Sequence, residues 1–213
     1  VDDDQTLTAN ILVIGAVDTS AVGTYVLFYN VRDRSGNAAL AVSRTVVVQD
    51  TGAPVITLLG DASMTLEVGD IFTDSGATAT DAVDGDLSDK ILVTGAVESM
   101  AAGTYVVTYN VTDSSGNVAF PISRLVTVID VTPPEITLVG NASVTLEFGA
   151  TYLDEGASAS DNNDGDITAF IVTTSSVDTR SMGTHTVIYN VKDAAGNAAS
   201  PVIRSVKVVD STA

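Results

Sequence analysis

The sequence predicts an all-β chain built from antiparallel sandwiches in tandem. Three observations carry that expectation: apolar and polar residues alternate with a period of two, turn-forming residues interrupt them at short intervals, and the whole pattern repeats. Pro-Val-Ile-Thr-Leu-Leu-Gly from Pro54 returns as Pro-Glu-Ile-Thr-Leu-Val-Gly from Pro134, a period of 80 residues. Gly23-Thr24-Tyr25 returns at Gly103 and, as Gly-Thr-His, at Gly183, while the Asp-x-x-Gly-Asn of Asp33 returns at Asp113 and Asp193. Such a period suits a small domain better than a solenoid repeat. The expected units are residues 1–50, 51–130 and 131–213, and 1–50 matches only the second part of a unit. On that reading the chain begins in mid-domain.

The elements follow in order within the unit 51–130. Strands are expected at Val55–Leu59, Ser63–Val68 and Lys90–Gly95, each bounded by Gly, Asp, Ser or Thr. From Gly103 to Asp113, Tyr105, Val107, Tyr109 and Val111 alternate with Thr104, Val106, Thr108 and Asn110, the pattern of a half-buried antiparallel strand. Tyr25, Leu27, Tyr29 and Val31 hold the same phase in the first unit. Asp113-Ser114-Ser115-Gly116-Asn117 is expected to be a hairpin turn, with an Asp that accepts turn amides and a Gly that takes positive φ. Ile122–Ile129 closes the unit, and no window carries a helical period. A Tyr near the start of the penultimate strand, after a Gly and two residues before a core position, matches the tyrosine corner of immunoglobulin-like sandwiches. Tyr25, Tyr105 and, by position, His185 are assigned that structural role. Val107 stands where an antibody domain has its second Cys, so the expectation is tandem immunoglobulin-like antiparallel β-sandwiches without a disulfide.

A family resemblance rests on these same segments: Pro-Val-Ile-Thr-Leu at Pro54, Leu-Glu-Val-Gly-Asp at Leu66, Gly-Ala-Thr-Ala-Thr-Asp at Gly76, Asp84-Gly85-Asp86, Gly103-Thr104-Tyr105, and Tyr-Asn-Val-Thr-Asp-Ser-Ser-Gly-Asn at Tyr109. The chain resembles the bacterial immunoglobulin-like repeats, akin to hyalin repeats, that stand in tandem in large secreted and surface proteins. The resemblance covers essentially the whole chain. It implies an extracellular or cell-surface location and a non-catalytic role as a structural or adhesive stalk. Such modules accompany adhesins, hydrolases and toxins alike, so fold is implied more sharply than function. The third unit departs from the pattern at His185 and at Ala150, where the second has Asp70; the first has Asp2, Asp3, Asp4 and Gln5 in place of Asp-Gly-Asp.

Composition excludes several classes of function. Twenty-seven acidic against 9 basic side chains give a net charge of −18, which argues against nucleic acid as a partner, since phosphate contacts need clustered Lys and Arg. A hydrophobic content of 45% supplies a core and argues against disorder. No Cys and a single His remove disulfides, thiolate-bound zinc and cysteine nucleophiles, and leave little general-base chemistry, so an enzyme is not expected. No apolar run reaches the ~20 residues of a membrane span, so no membrane insertion is expected.

The densest polar cluster is Asp161-Asn162-Asn163-Asp164-Gly165-Asp166, with Asp81, Asp84 and Asp86 as its counterpart. Hard cations such as Ca²⁺ take several oxygen ligands, and carboxylates around a Gly can converge on one ion. The spacing is not that of an EF-hand, because Ser160 and Ile171 stand where ligands would be needed. In an immunoglobulin-like sandwich the loop before the third strand, the last hairpin turn and the domain entry share one pole. Asp130, Asp161, Asp164, Asp166 and Asp193 are therefore expected to gather there, and Asp50, Asp81, Asp84, Asp86 and Asp113 to form the equivalent set. Two readings stand: these sets bind calcium and stiffen the joints, or Asp113 and Asp193 cap turns while the other acids are solvated. Arg44, Arg124 and Arg204 recur before the last strand, where an ion pair with an acid such as Glu67 or Glu147 is expected. The expected partners are neighbouring repeats of the same or a longer chain. The alternatives are a cell-surface glycan or protein, with Phe28 the clearest outward aromatic, and self-assembly in which a neighbouring molecule donates the strands that 1–50 lacks.

Overall fold

The structure, a computed structural model, describes residues 7–211. Apart from three single-turn 3₁₀ segments, its regular structure is all β. The chain packs as two compact units: one holds the chain up to Thr57 with Ala77–Leu92 and Tyr109–Ile122, the other Leu58–Gly76, Val93–Thr108 and Ser123 onward. No helix among the described residues is long and apolar enough to cross a membrane.

The first unit opens with strands β1 (Leu12–Ile14), β2 (Gly23–Asn30) and β3 (Val42–Val48), an antiparallel sheet in the order β1-β2-β3. Its inward-phase residues Leu27, Tyr29, Val31, Val46 and Val48 are only half-buried, because among the described residues 7–50 contain no second sheet to cover them. Phe28, on the other phase, is 47% exposed. The acids at 2–4 and Gln5 lie outside the described residues. Strands β4 (Val55–Leu58), β6 (Ala77–Asp81) and β7 (Gly85–Asp86) make a second sheet, and β5 (Ser63–Glu67), β10 (Ile122–Ile129), β9 (Gly103–Asn110) and β8 (Leu92–Thr94) a third, in those orders. The hairpin turn expected at Asp113 is present: Asp113 N–H donates to Asn117 O at 3.0 Å and Gly116 has φ +92°.

The last repeat is a complete sandwich. Strands β11 (Glu135–Leu138), β13 (Ala157–Asp161) and β14 (Gly165–Asp166) form one sheet; β12 (Ser143–Glu147), β17 (Val202–Val209), β16 (Gly183–Asn190) and β15 (Val172–Ser175) form the other. Ile136, Ala159 and Ile167 meet Val187, Tyr189 and Val206 in the core between them. The same positions are buried 80 residues earlier, at Ile56, Ala79, Leu87, Val107, Tyr109 and Val126, so burial follows the sequence period.

Three details differ from the sequence expectation. β6 and β13 were not expected as strands, since Ala-Thr-Ala-Thr and Ala-Ser-Ala-Ser carry little apolar bulk. The Lys90–Gly95 strand shortens to Leu92–Thr94, because Ser88–Lys90 forms a 3₁₀ turn and Gly95 takes φ +95°. Not all pairing is antiparallel: β5 runs parallel to β10, and β12 to β17. Each such pair joins the beginning of a repeat to its end, which leaves ample chain for the crossover that parallel strands require.

Candidate metal centre

Among the described residues two groups of carboxylates converge. Asp50, just after β3, meets Asp81 at the end of β6 and Asp113 at the start of its hairpin turn, with one oxygen of each within 4.8 Å of the others. Asp130, just after β10, meets Asp161 at the end of β13 and Asp164 in the following turn within the same limit. Local turn chemistry aims these side chains. Asp81 Oδ1 accepts the amides of Val83 (2.7 Å) and Asp84 (3.0 Å), and Asp161 Oδ1 those of Asn163 (2.8 Å) and Asp164 (3.0 Å). Gly85 and Gly165, at φ +76° and +71°, let the chain turn back so tightly.

The hairpin turns lock onto this arrangement. Asp113 Oδ1 accepts the amides of Ser115 (2.9 Å) and Asn117 (2.8 Å), and Asn117 Nδ2 donates to Asp113 Oδ2 (2.8 Å) and to the backbone carbonyl of Asp50 (3.3 Å). Asp193 and Asn197 repeat the device, with Asn197 Nδ2 reaching the carbonyl of Asp130 at 3.2 Å. Asp84 accepts the amide (2.6 Å) and hydroxyl (2.7 Å) of Ser114, and Asp164 accepts the amide of Ala194 (2.6 Å), so each acidic loop is tied to the neighbouring turn.

After this accounting three carboxylate oxygens among the described residues remain buried with no hydrogen-bond partner: Asp50 Oδ2, Asp130 Oδ2 and Asp161 Oδ2. Asp130 is only 7% exposed. Its pKa is held above the usual carboxylate range, first by burial and then by the charge of Asp161, with Asp193 and Glu67 adding to the repulsion and the Thr132 amide opposing it. An unpaired buried carboxylate oxygen is costly, and an all-oxygen, carboxylate-rich set is the donor chemistry of hard divalent cations such as Ca²⁺. These residues fit such an ion.

Not every acid expected in the clusters is in them. Asp86 Oδ1 accepts the amide (2.9 Å) and hydroxyl (2.6 Å) of Ser88, and Asp166 Oδ1 the amide of Thr168 (3.0 Å), so these two start the 3₁₀ turns and belong to neither carboxylate group. Asp84 stands outside the first group, tying its loop to Ser114, and Asp193 outside the second, capping its own turn. Sequence reasoning missed the role of Asn117 and Asn197; the recurring Asp-x-x-Gly-Asn carried the signal, since its Asn closes every turn.

The residues given structural roles make local bonds. Tyr25 Oη donates to Ala21 O (2.8 Å) and Tyr105 Oη to Ala101 O (2.9 Å), while His185 Nε2 lies 2.8 Å from the equivalent Ser181 O and Nδ1 3.1 Å from Ser176 O. The expected arginine partners are corrected. Arg124 pairs with Asp74 at 3.0 Å and Arg204 with Asp154, not with Glu67 or Glu147. Both guanidinium groups are buried, at 2% and 1% exposure, and donate to turn carbonyls including Leu59 (2.6 Å) and Gly156 (3.1 Å). Tyr152 donates at 2.8 Å to the Asp154 Oδ1 that Arg204 also holds, and Tyr189 donates to Oδ2. Burial alone would raise the Asp154 pKa, but those hydroxyls and the Arg204 charge outweigh it and hold it below its ordinary value.

The chain is similar to several known proteins. Hyalin of Strongylocentrotus purpuratus is 32% identical over 199 residues, which is 90% of this chain and 17% of hyalin. The outer cell wall protein of Brevibacillus brevis is 35% identical over 124 residues, 50% of this chain and 12% of that protein. Pesticidal crystal protein Cry22Aa of Bacillus thuringiensis is 34% identical over 133 residues, 57% of this chain and 17% of its own length. The chain thus spans less than a fifth of each of these relatives. The family described as the Ig-like domain of bacterial surface proteins matches three times, at residues 1–48, 56–128 and 136–208. Three matches in series over most of the sequence make this chain a member of the bacterial surface-protein Ig-like domain family.

Proposed function

We propose that these repeats form a non-catalytic, extracellular stalk of a surface protein or fibre, in which calcium held by the two acidic pockets stiffens the joints. The units in series are 51–130 and 131–213, with 1–50 contributing part of a further one. One observation carries the reading: buried carboxylate oxygens without partners occur where the Asp that leaves one repeat meets the acidic loop of the next. A cation shared by Asp130, Asp161 and Asp164 would tie the linker to the loop that follows it and restrict the joint. Asp50, Asp81 and Asp113 would do the same one repeat earlier.

Thermal melts with calcium and with chelator test this. A ligand present at about 100 times its dissociation constant adds ~2.7 kcal/mol of stability. The expected result is a rise in melting midpoint with calcium that is reduced in Asp161→Asn; an unchanged midpoint in the parent would remove the proposal. A second reading, a ligand-binding accessory module, is favoured by Phe170, which is 68% exposed and lines an open cleft of about 430 Å³ with Asp164, Asp166, Lys192 and Asp193. A glycan array probed with the parent and with Phe170→Ala tests that reading: selective binding lost in the variant supports it.

A further inference from the structure

We infer that Glu67 is a positioning residue for the pocket of Asp130, Asp161 and Asp164, and that this pocket, with two unpartnered buried oxygens against one, is the tighter of the two. The inference rests on the calcium reading above. Glu67 ends β5 and stands opposite Ile129 in the parallel pair with β10, so its side chain reaches the residues just after Asp130. Val131 N–H donates to both of its oxygens (3.0 and 3.1 Å), and Thr132 Oγ1 donates to Oε1 (3.0 Å). The Thr132 amide in turn donates to Asp130 Oδ1 at 3.2 Å. With its carbonyl held by Asn197 and Oδ1 held by Thr132, Asp130 is left with Oδ2 buried and unpartnered beside Asp161, whose own Oδ2 is also unpartnered.

The clamp recurs one repeat later. Glu147 ends β12 opposite Val209, and its carboxylate accepts the amide of Ser211 (3.1 Å) and the Ser211 hydroxyl. The first pocket is held by its own contacts. Asp50 Oδ1 accepts the amide of Gly52 at 2.9 Å. The first pocket also holds one unpartnered buried oxygen where the second holds two. A donor already fixed in place loses less freedom when an ion binds, and partners that orient ligands typically change metal affinity ~10–100-fold.

Calorimetric calcium titration of the 213-residue chain tests the inference, with Asp161→Asn and Asp81→Asn marking the two pockets. The parent is expected to bind calcium in two affinity classes, the tighter one lost in Asp161→Asn. Glu67→Ala should weaken that class about tenfold and leave the class sensitive to Asp81→Asn within about twofold. Glu67→Gln, which keeps an accepting oxygen, should fall between. Thr132→Val, which removes only the hydroxyl donor, is the milder second variant and should weaken the same class alone. Two bound ions with Glu67→Ala and Thr132→Val unchanged, or both classes weakened equally, would overturn the role of Glu67 while leaving the calcium reading standing. A parent that binds no calcium would overturn the calcium reading itself.

Discussion

Asp130 is a residue whose stability contribution depends on what faces it. Its folded pKa is raised, so it favours folding below the ordinary carboxylate range and loses that contribution as pH rises through the folded value. In calcium-free solution Asp130→Asn should therefore raise the melting midpoint near neutral pH and abolish most of the gain that calcium gives the parent. Asp154 has the opposite sign: its pKa is lowered, so its contribution is present at neutral pH and is lost as pH falls through the folded value. Arg204 is buried, and Arg204→Met, which removes the ion partner of the partly buried Asp154, should cost about 3 kcal/mol in denaturant unfolding. Tyr189→Phe removes one hydroxyl donor to the same carboxylate and should cost about 1.5–3 kcal/mol.

At the scale of the element, strand phase was legible and strand pairing was not. The alternation of Tyr105, Val107, Tyr109 and Val111 announced which face of β9 would be buried, and Val107, Tyr109 and Val111 are at most 3% exposed. Alternation is the same for parallel and antiparallel neighbours, so the parallel run of β5 beside β10 left no trace in the sequence. β6 and β13 escaped notice because small Ala, Ser and Thr side chains carry almost no apolar signal, although the Asp-Gly-Asp that follows each was conspicuous. The recurring arginines were legible, but their acidic partners stand 50 residues away and look no different from solvated acids. Likewise the Asp clusters could be read, whereas which oxygen each amide would occupy, and so which would be orphaned, depends on loop geometry. Turn glycines give a direct test. A Cβ at Gly95 would meet Val106 O at 2.1 Å, while at Gly116 nothing lies within 4 Å, though both have positive φ. Gly116→Ala should cost about 1–2 kcal/mol of backbone strain, and Gly95→Ala clearly more, as read by urea midpoints. The third repeat has Ser175 at the position of Gly95, and there the edge strand continues one residue further.

Across the whole molecule, a charge of −18 sets the background against which the pockets work. Self-repulsion of that size is screened by salt, so sodium chloride should raise the melting midpoint of the calcium-free protein, and by less once calcium is bound. Membership of the surface-protein Ig-like family accounts for the series of repeats, and the proposed stalk asks only that the joints be stiffer than bare linkers. The most direct test of that claim is the number of calcium ions retained per chain after dialysis at millimolar calcium, a range suited to extracellular modules. The account predicts about two for the parent, about one for Asp161→Asn and none for Asp81→Asn combined with Asp161→Asn. A parent chain that retains none, or a double variant that retains as many as the parent, would contradict it.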